Sequence, residues 1–305
     1  MTKFNHALDD GFIDKLRAEK DKGGWWNDVL ADSTLLVALR GTYLNVYWRG
    51  QSLFYVEPTT SGLKVTTHEK YLIDPKLASQ VQLIDHTFDV DRLIKKGFMR
   101  EYEGKATLAK MKKAAGYFSG PEKRGCHEIA LNNPAVIDCE IAFPGFVLPD
   151  DGTENDKGRV DLACLEQDAE EVRLVFWEAK HYSNKELRAD LQSDDKMPPV
   201  CDQVEKYQKY LSAHRDIVVD SYTNVAKNLV AIQAMHPDRP LSPLIFDVGT
   251  GKRRLVIDKK PRVGLVIFGF NKAEREHKAW KEHLKRLTDN IRPFKAVGDA
   301  KKIKL

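Results

Sequence analysis

The spacing of apolar residues changes several times along the chain, and each change marks a predicted element. Asp10 to Lys20 carries apolar residues at helical spacing and is followed by the turn Lys22-Gly23-Gly24 and the pair Trp25-Trp26. From Thr34 the period falls to two. Leu35–Leu39, Tyr43–Trp48 and Ser52–Val56 are separated by Arg40-Gly41 and Arg49-Gly50-Gln51, turns short enough to require an antiparallel meander, and a further strand follows near Leu63–Thr67. Ile84 to Tyr102 reads as helical and mixed in charge, and Lys105–Phe118 as a basic amphipathic helix stopped by Gly120-Pro121. A helix Glu122–Asn132 ends at Asn133-Pro134, and a strand Val136–Phe143 and a loop over residues 144–157 follow. Two apolar runs, Val160–Leu165 and Val172–Trp177, then flank the polar stretch Gln167–Glu171. A polar loop over residues 183–196 leads through Pro198-Pro199 into a long helix from Val200 to about Met235, with an interruption near His214 to Asp216. A strand Arg262–Phe270 and a basic amphipathic helix Lys272–Asp289 complete the pattern. The expected organisation is a β-rich α+β unit over residues 1–104 and an α/β unit over 105–305. From residue 122 the second unit runs helix, three strands, helix, strand.

The two runs around Gln167–Glu171 carry charge where a buried strand should not. Reflection through the turn centre, between Ala169 and Glu170, places Asp161 opposite Glu178 and Arg159 opposite Lys180, and alternation puts all four on one face. Like charges directly opposite destabilise a sheet, and two carboxylates in a half-buried site do not both stay ionised without compensation. A hard divalent cation removes the conflict by taking one or two carboxylates together with water and phosphate oxygens. Lys180, two residues past Glu178, points the same way. Glu-x-Lys recurs at Glu103/Lys105 and Glu276/Lys278, but only the copy at Glu178 ends an apolar strand with an acid opposite.

Length and composition narrow the picture little. A chain of 305 residues, 31% charged with a net charge of +4, is long enough for a large core and only mildly basic. Its basic residues cluster in Lys105–Lys113, Lys252–Arg262 and Lys301–Lys304, runs that serve equally as solvated faces or phosphate-binding surfaces. Tyr43, Tyr47, Phe54 and Tyr55 with Arg40 and Arg49 offer a nucleic-acid surface in the first unit, or its core. The four cysteines have no Cys-x-x-Cys spacing, which argues for free thiols in a reducing cytoplasm and against a zinc ribbon or an iron–sulfur cluster. No apolar run reaches the ~18 residues of a membrane span, and the start lacks a basic-then-apolar signal, so a cytoplasmic protein is expected.

The order of elements, with GRVDLACL around Asp161 and FWEAK around Glu178 and Lys180, resembles the PD-(D/E)XK nuclease superfamily over about residues 122–271. The resemblance implies a restriction-endonuclease-like αβββαβ core, a central mixed sheet flanked by helices, with the acid on the second strand and Glu-x-Lys on the third. Gln203 and Tyr207, four apart in CDQVEKYQKYL, resemble the Gln-x-x-x-Tyr motif of the RecB-type branch. Glu128, in the helix before the first strand, stands where many members carry an additional metal-associated glutamate, and Glu140 on the first strand is its rival. The chain departs from the family pattern in having Val160 where the name has Pro, and in lacking cluster-binding cysteine spacings and a G-x-x-x-x-G-K-[ST] loop.

The resemblance implies divalent-metal-dependent endonuclease chemistry on DNA, in restriction, phage defence or DNA repair. Asp161, Glu178 and the carbonyl of Ala179 would bind Mg2+, with Mn2+ substituting and Glu128 at a second ion. Lys180 would act on the attacking water or the phosphate, and Gln203 and Tyr207 would position the site. A RecB-like exonuclease differs only in its need for DNA ends, and a third reading is a non-catalytic DNA-binding or scaffold protein on the same fold. Many members are dimers that cut both strands, so a homodimer is also an expectation.

Overall fold

A computed structural model describes residues 4–73, 98–144, 158–189 and 197–305, together with the backbone of two short strands between the first two segments. All but the first residue of the loop expected at 144–157 and the end of the one expected at 183–196 lie outside the described residues, as does most of the helix expected from Ile84. Where that stretch is described it is not helical: β5 (Leu83–Ile84) and β6 (Thr87–Phe88) pair antiparallel.

The chain is mixed α/β. Two helices, α1 (Asp10–Lys22) and α2 (Trp25–Ala31), precede the meander β1 (Leu36–Leu39), β2 (Leu44–Trp48), β3 (Gln51–Pro58) and β4 (Leu63–Thr66), a four-stranded antiparallel sheet in sequence order. Asp9 caps α1 by accepting the Phe12 amide at 2.7 Å. The basic helix α3 (Lys105–Gly116) is followed by α4 (Pro121–Asn132), whose proline occupies a first-turn position that needs no amide donor.

The larger sheet contains β7 (Val136–Ala142), β8 (Arg159–Asp168) and β9 (Glu171–His181) in antiparallel succession. The long helical stretch divides into α5 (Pro199–Ala213) and α6 (Arg215–Met235) at His214, then α7 (Pro243–Gly249) leads to β10 (Arg254–Val256). Both β10 and β11 (Val263–Phe268) pair parallel to β9. The amphipathic helix at the end is two pieces, α8 (Lys272–Glu276) and α9 (Lys278–Asn290), and an edge strand, β12 (Phe294–Ala296), lies parallel to β11. The sheet path is therefore β12-β11-β9-β8-β7, with β9 at its centre.

Two apolar clusters fill the interior, and β9 serves both: Val172, Leu174 and Phe176 belong to one, Val175, Trp177 and Ala179 to the other. This is why β9 reads as a continuous apolar run. The first cluster runs from Phe4 to Ile291 and so draws on residues either side of position 105. Helix α4 lies flush on the sheet: a β-carbon at Gly125 would come 1.9 Å from the Phe268 ring. Among the described residues, no helix is long and apolar enough to cross a membrane.

Candidate active site

The hairpin forms at the reflected register. Its turn closes on Ala169 and Glu170, and the ladder runs from Asp168↔Glu171 to Leu162↔Trp177. There it stops, one pair short of the two acids, although β8 continues to pair with β7 and β9 with β11. Backbone groups released by this parting need other partners. Asp161 Oδ2 accepts the Ala179 amide at 2.7 Å, and the Tyr207 hydroxyl donates to the Arg159 carbonyl at 2.8 Å. The two motif side chains thus stand in for the missing rungs.

Glu178 and Lys180 are 2% and 7% exposed, and Lys180 Nζ lies 2.9 Å from Glu178 Oε1. The same ammonium is 2.6 Å from Glu186 Oε2, on a short 3₁₀ turn at Lys185–Leu187. Arg159 points elsewhere, with Nη1 3.8 Å from Glu140 Oε2 and more than half of its side chain exposed. The expected single row of four side chains is therefore two separate pairings, because the strands diverge before it can form.

The electrostatics follow from burial. Desolvation, and then the charge of Glu178, push the Asp161 carboxyl well above the ordinary carboxylate range. Burial raises Glu178 as well, against the pull of Lys180. For Lys180, burial alone would favour the neutral amine, but Glu178, Asp161 and Glu186 outweigh it and hold the ammonium firmly protonated. Glu178 Oε2 is buried with no hydrogen-bond partner, and so is Gln203 Oε1. Buried acceptors of this kind are uncommon and call for a donor or a cation.

Gln203 and Tyr207 sit one turn apart on α5, as their spacing predicts, with Gln203 Nε2 donating to the Tyr207 hydroxyl at 3.0 Å. Tyr207 is fully buried; burial, and next the charge of Glu178, raise its pKa. Asp161, Glu178, Ala179, Lys180, Gln203 and Tyr207 thus come together. Glu128 does not join them. Helix α4 turns Gly125, Cys126, Ile129 and Ala130 into the core, leaving Glu128 half-exposed on its flank without a hydrogen bond or ion pair to that group. Glu140 is better placed: the pairs Cys139↔Leu162 and Ile141↔Val160 put it opposite Asp161. Its φ of 55° is a left-handed conformation that a glutamate seldom adopts.

Two acids were not visible in the sequence. Glu186 touches Lys180 from a turn with no distinguishing pattern. Glu122 Oε2 accepts the His181 amide and the Asn184 side-chain amide, each at 2.9 Å, tying α4 to the end of β9. A buried network under β7 was equally hidden. Asp138 accepts from Arg40 Nη1 (2.8 Å) and the Tyr222 hydroxyl (3.0 Å), with His6 Nδ1 at 2.8 Å. Burial alone would raise Asp138, but Arg40 and His6 hold it below the ordinary range. Burial lowers His6, against the pull of Asp138.

The same contacts decide between surface and core for three of the first-unit residues. Arg40 is spent on Asp138, and Tyr47 and Phe54 are buried, so these three cannot meet a ligand. The basic run at 252–262 is also partly structural: Arg253 donates to the Ala169 carbonyl at the hairpin turn (2.7 Å), and Arg262 pairs with Glu166 and Asp258 at 2.9 Å. Cys126, Cys139, Cys164 and Cys201 are all free thiols. Among the described residues, no group of three or more His, Cys, Asp or Glu is arranged to hold a metal ion. Compared with known proteins, the chain matches no family model, no curated protein and no solved structure.

Proposed function

We propose that this chain is a divalent-metal-dependent DNA endonuclease of the PD-(D/E)XK type. The observation that carries the reading is the parted end of the β8–β9 ladder. Asp161 and Glu178 flank that end with Lys180, the Glu178 charge acts on Asp161, both carboxyls are raised, and a buried Glu178 oxygen has no partner. The order α4, β7, β8, β9, α5, β11 supports a restriction-endonuclease-like core, and the contact of Gln203 with Tyr207 supports the RecB-type motif.

The donor set suits Mg2+ or Mn2+ held by two carboxylates with water filling the rest, rather than an all-protein cage. Asp161, Glu178 and the Ala179 carbonyl would hold it. Glu140 replaces Glu128 as the third acid, since Glu140 is the one opposite Asp161. When bound, such an ion polarises the phosphate and acidifies a coordinated water. Lys180, fixed as an ammonium, acts as a donor that stabilises charge on the phosphate and not as a base. Gln203 and Tyr207 hold the Arg159 carbonyl and so the spread of the two strands.

The test is incubation of the purified protein with circular, linear and single-stranded DNA in Mg2+, Mn2+ or chelator. Metal-dependent cleavage that is lost in Asp161→Ala and Lys180→Ala is the expected result, and cleavage surviving in either variant overturns the assignment. Cutting of circles separates an endonuclease from an exonuclease.

A further inference from the structure

One exposed surface of the chain is not used by the proposed chemistry. Between α3 and α4 the chain turns through Tyr117 and Phe118, which are 72% and 48% exposed. Two consecutive aromatic rings left in water are costly, and exposed apolar patches rimmed by polar groups mark interaction sites. The corner is rigid. Gln51 Nε2 donates to the Phe118 carbonyl at 3.1 Å, Ser119 Oγ to the Arg49 carbonyl at 2.6 Å, and Arg124 Nη2 to the Gly116 carbonyl at 2.6 Å.

Cations surround it. Lys70 Nζ stands 5.1 Å from the centre of the Phe118 ring, and the Arg49 guanidinium lies 4.5 Å over Trp48. Lys123 and Arg124, exposed in the first turn of α4, follow directly, with Lys123 packed on Gly50. Lys123 and Gly50 also line a small cavity with Tyr47, Cys126, Glu140 and Leu162, so one cation of the rim shares a cavity with the acid opposite Asp161.

We propose that the Tyr117–Phe118 corner, with Arg49, Lys70, Lys123 and Arg124 around it, binds an unpaired nucleic-acid strand by base stacking and phosphate contact and delivers it to the acids. The proposal rests on the nuclease reading for the direction of delivery, while the binding surface stands on its own geometry. Adjacent exposed rings suit unstacked bases, which offer their faces, whereas duplex DNA keeps them covered. Cations on one side of the rings suit the backbone of that strand.

Fluorescence anisotropy with a labelled oligothymidine of about 20 nucleotides, and with a duplex of equal length, tests it in chelator so that nothing is cut. Tyr117→Ala combined with Phe118→Ala should weaken single-strand binding at least about tenfold and duplex binding much less. Tyr117→Phe should bind as wild type, and unchanged thermal melting should show all variants folded. Arg49→Ala with Lys123→Ala should lower the slope of log affinity against log salt by about 0.7 per cation removed. The proposal is overturned if the double alanine variant binds the single strand as wild type does, or loses both substrates equally. Absence of metal-dependent cleavage by wild type would overturn the nuclease reading, and cleavage that survives in Asp161→Ala its assignment to these acids, while leaving these binding results intact, so the failures are distinguishable.

Discussion

Replacing Lys180 with Met keeps the length of the side chain and removes the cation that Glu178 and Asp161 face. At an effective dielectric constant near 20, unit charges at the observed 2.9 Å attract by about 6 kcal/mol gross. Desolvation offsets part of this, and removing one partner of a buried pair costs about 3–5 kcal/mol net. For a chain of this length, about 2 °C of melting temperature per kcal/mol makes that roughly 6–10 °C in chelator. The loss should depend on pH with a definite sign. Both carboxyls are raised in the folded state, so they cost nothing below the ordinary carboxylate range. Their cost grows as pH rises from about 4 through their folded values. Lys180, also raised, carries the same sign in a higher window: its stabilising contribution is complete below its ordinary pKa of about 10.4 and is lost only above it. The variant should therefore approach wild type in acid and fall away toward neutrality. Mn2+ a hundredfold above its Kd should return about 2.7 kcal/mol to the variant, and no stabilisation should be seen in Glu178→Gln. Differential scanning fluorimetry over pH and metal reads every arm. A Lys180→Met protein that melts with wild type in chelator at neutral pH would refute the reasoning, as would a Glu178→Gln protein that still responds to Mn2+.

Further outcomes follow from neighbouring contacts. Tyr207→Phe leaves the Arg159 carbonyl without its donor and should cost about 1–3 kcal/mol, read as a lower urea midpoint with unchanged slope. Arg40→Met removes the guanidinium paired with the buried Asp138 and should cost about 3–5 kcal/mol in thermal melting. In calorimetric titration with Mn2+, Glu140→Gln should weaken binding several-fold, whereas Glu128→Ala should leave it unchanged.

The hairpin could be read from the sequence because one polar turn between two apolar runs leaves a single sensible centre, and the register then follows by counting. The end of the ladder could not: the parting at Asp161 depends on the Tyr207 hydroxyl donating to Arg159, 48 positions away, and on the Ala179 amide donating to Asp161, 18 positions away, beyond the reach of any local pattern. Glu186 and Glu122 were hidden for the same reason, since an acid on a polar turn or in a first helical turn is what solubility and the helix dipole already favour. Arg40 misled because a strand-end arginine normally faces water, and only the fold shows Asp138 waiting beneath it. Strand β10 is three residues long and β12 equally short, too brief for a period-two pattern to stand out.

Strand β9 has one neighbour close in sequence and the others far away. The β8–β9 hairpin is complete by residue 181, but the opposite edge of β9 waits for β10 and β11, at residues 254–268. A nascent or refolding chain must therefore hold an open apolar edge, Val172 to Trp177, through the formation of α5 and α6, a hazard for association with other chains. Glu171 and Arg173 at one end of that edge and Glu178 and Lys180 at the other bracket it with charge, which discourages edge-to-edge pairing while it is exposed. Neutralising Glu171 and Arg173 together should reduce the yield of refolding at high protein concentration before it alters the final native state.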